Sequence, residues 1–148
     1  EDKNKYKVEY WIFGDGQEKE YLQQFINDQV ILKGFATNSE ELMLNTIDIV
    51  VVPSITEEAC PMVPLEAFKC GVPVISTNIG GQAEIVLDNK VGYFIDIKDS
   101  EAIANKIDRL IDNPDKYNKL SINSIEYSKK FDSNLYKQNI LKIFKELN

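Results

Sequence analysis

The chain has 148 residues, 43% of them hydrophobic, and a net charge of -7 at neutral pH, which is one domain's worth of sequence with enough apolar material for a core. That composition argues against disorder, the acidic surplus argues against a surface that tracks nucleic-acid phosphates, and no apolar run approaches the roughly 20 residues that span a bilayer. Histidine is absent, which excludes His-based metal sites and catalytic triads and leaves chemistry to carboxylates, hydroxyls, backbone dipoles and Lys or Arg.

Glu1 to Lys5 are charged or polar and read as a start inside a longer protein. Val8 to Phe13, rich in β-branched and aromatic residues, predicts a strand that ends in a tight turn at Gly14-Asp15-Gly16. Asp15 and Glu18 form a capping-box pattern for a helix with Tyr21, Leu22, Phe25 and Ile26 on one face. Gly14 and Gly16 are either that turn and nothing more, or a place where a ligand meets the backbone. A second strand runs from Val30 to Leu32 and ends at Gly34, and Asn38 with Glu41 opens a short helix through Leu42 and Leu44. Phe35 between them reads, on the residues alone, as core. Ile47 to Val52 and Val74 to Ser76 are β-branched without alternation, as parallel strands buried on both faces should be.

Between those two strands lies Glu57-Glu58-Ala59-Cys60-Pro61-Met62-Val63-Pro64-Leu65-Glu66-Ala67, in which seven residues separate Glu58 from Glu66. Pro64 suits the first helical position, which predicts a helix over Pro64 to Lys69 with Glu66 in its first turn and Glu58 in the loop before it. Ligands bind at such strand-to-helix loops, where helix N–H groups are unpaired. The pair can also be incidental, since a first turn favours Glu in any case. Cys60 and Cys70 lack the regular pairing of a secreted framework, so both are expected to be free thiols in a reducing setting. Without histidine to activate it, Cys60 reads as a small loop residue rather than a nucleophile.

Gly80-Gly81 follows a strand and precedes a short helix over Gln82 to Leu87 that contains Glu84; paired glycines permit positive φ and a row of N–H groups suited to a phosphate or sugar oxygen. Val91 to Ile97 is a further strand. Ser100 caps a helix with Ile103, Ile107, Leu110 and Ile111 on one face, which Asn113-Pro114 stops. Tyr117, Leu120, Tyr127 and Phe131 mark another helix, and Tyr136, Ile140, Phe144 and Leu147 the last. The alternation predicts an α/β fold, a doubly wound parallel Rossmann-like sheet, as a single domain over 1–148 with C-terminal helices across 115–148.

Pro53-Ser54, Glu58 and Glu66, Cys70-Gly71-Val72-Pro73-Val74-Ile75-Ser76-Thr77, Gly80-Gly81-Gln82-Ala83-Glu84-Ile85-Val86 and Val91-Gly92-Tyr93-Phe94 together resemble the C-terminal nucleotide-sugar-binding domain of retaining glycosyltransferases of family four, the glycosyl transferases group 1 with the GT-B fold. The resemblance runs from about Tyr10 to about Pro114. It implies one half of a GT-B fold that binds the donor of a hexose transfer from a nucleotide diphosphate sugar, on UDP or GDP, to an acceptor glycan or lipid, as in polysaccharide biosynthesis. Glu58 is implied as the catalytic carboxylate on the transferred sugar and Glu66 as the ribose ligand. Gly14, Gly16, Phe35, Pro61, Met62, Val63, Leu65, Gly80 and Gly81 are implied in substrate binding, with the N–H groups near Val63 and Leu65 toward the diphosphate. No metal and no cofactor other than the donor itself is expected.

The sequence departs from the family in two ways. The Arg and Lys that precede the glycine turn in the resembled enzymes are not matched by Lys3, Lys5 or Lys7, and Ala59 stands where Gly often follows the first glutamate. The N-terminal acceptor domain is expected as the missing partner, the isolated piece is expected to be inactive, and the full-length protein is expected in the cytoplasm with peripheral association at the inner face of the membrane. Other readings by residue type are a glycoside hydrolase, whose retaining members hold two carboxylates about 5 Å apart, a nucleotide-sugar-binding module or GT-B epimerase without transferase activity, and a plain interaction domain.

Overall fold

The computed structural model describes residues 7–146; the start expected at Glu1 to Lys5 and the stripe residue Leu147 lie outside them. The chain divides into two compact units, one through Ser39 and one from Glu40 onward.

In the first unit, β1 (Tyr10–Phe13) and β2 (Val30–Gly34) pair in parallel, Tyr10 opposite Val30, until the register slips and Phe13 faces Gly34. Parallel strands need a crossover, and α1 (Lys19–Gln23) supplies it. This helix is shorter than the stripe Tyr21, Leu22, Phe25, Ile26 suggests. The predicted capping box also fails: Glu18 holds the N-cap without a side-chain bond, while the Asp15 carboxylate accepts from Lys19 Nζ at 2.6 Å. A lysine one turn away outcompetes the backbone N–H for that carboxylate.

The second unit holds a three-stranded parallel sheet in the order β3 (Val50–Val52), β4 (Val74–Thr77), β5 (Gly92–Ile95), with Val50, Val74 and Gly92 in register. Its helices are α2 (Ser39–Asn45), which begins at the unit boundary, α3 (Met62–Lys69), α4 (Gly80–Ile85), α5 (Ser100–Ile111), α6 (Pro114–Ser128) and α7 (Ser133–Glu146). Because side chains alternate across a strand, the sheet feeds two cores. Val50 and Val74 join Ala67, Phe68, Val72, Ile85, Val86 and Val91 on one face. Ile75, Tyr93 and Ile95 meet Ile107, Leu110 and Leu120 on the other. Both faces are covered, which is why these strands read as unbroken apolar runs. Burying a side chain such as Phe68 contributes about 2–3 kcal/mol, so the paired cores outweigh any local propensity. The expected parallel, helix-flanked α/β organisation is present, with its strands distributed over two sheets.

Two helix starts differ from the sequence reading by one residue. Asp99, rather than Ser100, caps α5 by accepting from the Ala102 N–H at 2.8 Å. Asn113 does more than end α5: its Oδ1 accepts from the Lys116 N–H at 2.9 Å and opens α6 with Pro114 in the first turn. On the apolar stripe of α7, Tyr136 is 68% and Phe144 62% exposed. Among the described residues no helix is long and apolar enough to cross a membrane.

Candidate functional site

β3 delivers the chain into the loop that carries Glu58. The loop is exposed, yet Glu58 is tied down at its carboxylate, where Oε1 accepts from Ser54 Oγ at 3.2 Å. α3 then begins at Met62, two residues earlier than expected, with Pro61 extended at the N-cap. Pro64 is therefore the third helical residue and Glu66 lies in the second turn; no acidic residue occupies the first. Any early position tolerates proline, since the N–H groups there have no intrahelical partner. With prolines at the N-cap and the third position, Met62 and Val63 carry the open donors of this end. Their side chains are exposed, whereas Leu65 packs into the core beside Phe68. Glu66 is half-buried.

The opposite wall is α4, and it grips Glu58 by the backbone. Gly81 N–H donates to the Glu58 carbonyl at 2.7 Å, and a Cβ on Gly81 would sit 2.3 Å from the Ala59 carbonyl oxygen. Gly80, at φ +50, would bring a Cβ to 2.9 Å from the Glu58 carbonyl oxygen. The glycine pair expected to offer N–H groups outward thus lets the Glu58 loop lie against α4, with the Gly81 donor committed to it.

Gln82, next along α4, is fully buried and bonded at both ends of its amide. Its Oε1 accepts from Ser76 Oγ at 2.8 Å and faces Thr77 Oγ1 at 2.9 Å. Its Nε2 donates to Ser54 Oγ at 3.0 Å, and Thr77 Oγ1 also reaches the Ser54 carbonyl at 2.8 Å. A directed chain results, from Ser76 through Gln82 and Ser54 to the Glu58 carboxylate. Sequence reasoning named these residues within a motif and gave none of them a role. The available signal was polar Ser76 and Thr77 at the end of a β-branched run, with an amide in the helix after the glycines.

The remaining predicted residues belong to the first unit. Gly14 has φ +135, its N–H donates to the Gly34 carbonyl at 2.8 Å, and the space beside Gly14 and Gly16 is open. Phe35 is 80% exposed, so it is not core. Lys33 lies with its Nζ 3.8 Å over the Trp11 ring. The structure thus gathers Gly14 with Gly34 and Phe35 in this unit, and Glu58, Pro61 to Glu66, Gly80 and Gly81 in the other.

Both cysteines are free. Cys60 is exposed in the Glu58 loop, while burial pushes the Cys70 thiol above its ordinary pKa, with Glu40 adding to the effect. Among the described residues no cluster of carboxylates and thiols is arranged to hold a metal ion.

Residues 1–127 match the family described as glycosyl transferases group 1, and the chain belongs to that family. It is 30% identical over 141 residues to the uncharacterized glycosyltransferase MJ1178 of Methanocaldococcus jannaschii, covering 92% of this chain and 40% of that protein. Crystal structures of Anabaena HepE with UDP and with UDP-glucose superpose with TM-scores of 0.85 and 0.83 at 25% identity, over 94% of this chain and 41% of theirs. The crystallised C-terminal domain of the group 1 glycosyl transferase LpcC from Francisella tularensis is 31% identical, with a TM-score of 0.62 over 75% of this chain and 58% of that one. The chain spans about 40% of the length of MJ1178 and of HepE. The parallel α/β architecture is that of a GT-B glycosyltransferase half.

Proposed function

We propose that residues 1–148 are the donor-binding domain of a retaining glycosyltransferase, which moves a hexose from a nucleotide diphosphate sugar to a glycan or lipid acceptor bound by a separate N-terminal domain. The observation that carries this reading is the placement of Glu58. Just before a helix N-terminus, Ser54 holds the exposed carboxylate of Glu58 and the Gly81 N–H holds its backbone carbonyl, and a second carboxylate, Glu66, stands on that helix.

Ionised carboxylates accept hydroxyl protons in charge-assisted hydrogen bonds. In this proposal Glu58 binds hydroxyls of the transferred sugar close to its anomeric carbon, and Glu66 binds the ribose. The Met62 and Val63 N–H groups and the positive end of α3 stabilise the departing diphosphate. Pro61 and Leu65 shape that end, Gly80 and Gly81 let the Glu58 loop close on α4, and Gly14, Gly16 and Phe35 meet the nucleotide, Phe35 by stacking on the base. The donor is bound without a metal ion. The full-length protein acts in the cytoplasm, on an acceptor at the inner face of the membrane, and this chain alone is inactive.

The bound UDP and UDP-glucose of HepE favour uridine as the base. Calorimetric titration of the chain with UDP, GDP and ADP tests this, with UDP alone expected to bind; equal affinity for all three would refute a base-reading site.

A further inference from the structure

The amide of Gln82 is the best-satisfied buried polar group of the second unit that no step of the proposed chemistry uses. It is fully buried and makes contacts to Ser76, Thr77 and Ser54 between 2.8 and 3.0 Å. Side-chain hydrogen bonds go mostly to backbone or water, and this amide is spent on side-chain hydroxyls instead. Proton counting gives the chain a direction. Glu58 as a carboxylate can only accept, so Ser54 must donate to it; the Ser54 oxygen is then free only to accept, and the Gln82 NH₂ is the donor that fills it. That fixes the amide with Oε1 toward Ser76 and Thr77: the Ser76 hydroxyl donates to it, and the single Thr77 proton is shared between Oε1 and the Ser54 carbonyl. Turning the amide over would face Oε1 to Ser54, draw the Ser54 proton away from Glu58 and leave the carboxylate without that bond.

We infer that Gln82 is a positioning residue for Glu58: through Ser54 it selects one rotamer of the carboxylate that, on the reading above, meets the transferred sugar. The neighbouring Gly81 N–H fixes the Glu58 carbonyl, so two successive residues of α4 set the backbone and the side chain of the same glutamate. Linked hydrogen bonds polarise one another, so the order imposed at Ser76 is passed to an otherwise exposed side chain. A glutamate on an exposed loop without such a partner samples several rotamers.

The test uses this chain with Ser54→Ala, Ser54→Thr and Gln82→Met, read in two ways. In the ligand-free protein, side-chain couplings of Glu58 by NMR should show one rotamer in wild type and Ser54→Thr, and averaging in Ser54→Ala and Gln82→Met. In titrations, Ser54→Ala should weaken UDP-glucose about fivefold to tenfold, the scale of a lost hydrogen bond to a charged group, and leave UDP within about twofold. Should Gln82→Met not fold, Ser54→Ala still decides, because its backbone carbonyl keeps the Thr77 bond. A Glu58 rotamer unchanged in Ser54→Ala, or unchanged in a folded Gln82→Met, would overturn the inference. Averaging in Ser54→Ala with UDP-glucose affinity unaltered even by Glu58→Ala would uphold the positioning role and refute the assignment of Glu58 to the sugar.

Discussion

The Gly81 N–H donates to the Glu58 carbonyl at 2.7 Å, and no side chain larger than hydrogen fits between them. Helix propensity alone would favour Gly81→Ala by about 1 kcal/mol. The added methyl would meet the Ala59 carbonyl at 2.3 Å, and overpacking of this kind costs about 1–3 kcal/mol. The clash should win. Gly81→Ala is expected to lower the melting temperature and shift the backbone resonances of residues 57–60; a stabilised variant would show that the loop does not rest on α4.

Glu66 stands in the second turn of α3 and is half-buried. If it binds the ribose, Glu66→Ala should weaken UDP by about tenfold, the scale of a charge-assisted bond, with the circular dichroism spectrum and melting curve retained. Equal UDP affinity in mutant and wild type would remove it from the site.

The cysteines should separate by rate. Burial raises the Cys70 thiol's pKa and Glu40 adds to it, so less thiolate is present at any given pH, and the thiolate is the reactive form. Cys60 is exposed. At pH 8, mass spectrometry after brief iodoacetamide treatment should find the label on Cys60 and little on Cys70. Equal labelling would show that the core around Phe68, on which Cys70 packs, opens readily.

Burial also raises the phenol pKa values of Tyr93, Tyr117 and Tyr127. Each holds its proton to higher pH when folded than when unfolded, so the folded state binds more protons once pH passes about 10, the ordinary tyrosine value. Stability linked to these rings is therefore full below that pH and falls as pH rises through the folded values. Lys69, held protonated by Glu40, adds loss in the same direction. The raised Cys70 thiol adds a loss that begins lower, above the ordinary thiol value of about 8.5. Thermal melts from pH 8 to 11 should decline gently at first and more steeply above about 10; a flat profile would contradict the burial of these groups.

Much of this fold is legible in the chain because its signals are local. Val50-Val51-Val52 and Val74-Ile75 announce strands covered on both faces, and Ile103, Ile107 and Leu110 announce the helix that covers one of them. Boundaries are less legible where two local partners compete. Asp15 chose a lysine over a cap, and Asp99 rather than Ser100 took the cap of α5. At the site, the spacing of Glu58 and Glu66 was visible, whereas the start of α3 was not, since either Pro61 or Pro64 fits an early helical position. The Gln82 network was invisible for a different reason. Its members, at 54, 76, 77 and 82, are joined by β4 lying beside β3, and that pairing has no local signature.

The central claim is that Glu58 binds the sugar of a nucleotide-sugar donor, and paired titrations of UDP-glucose and UDP against wild type and Glu58→Ala test it most directly. The account predicts that the substitution weakens UDP-glucose about tenfold or more, as expected for lost charge-assisted bonds, and changes UDP by less than about twofold. An identical loss for both ligands, or no loss for either, would contradict it.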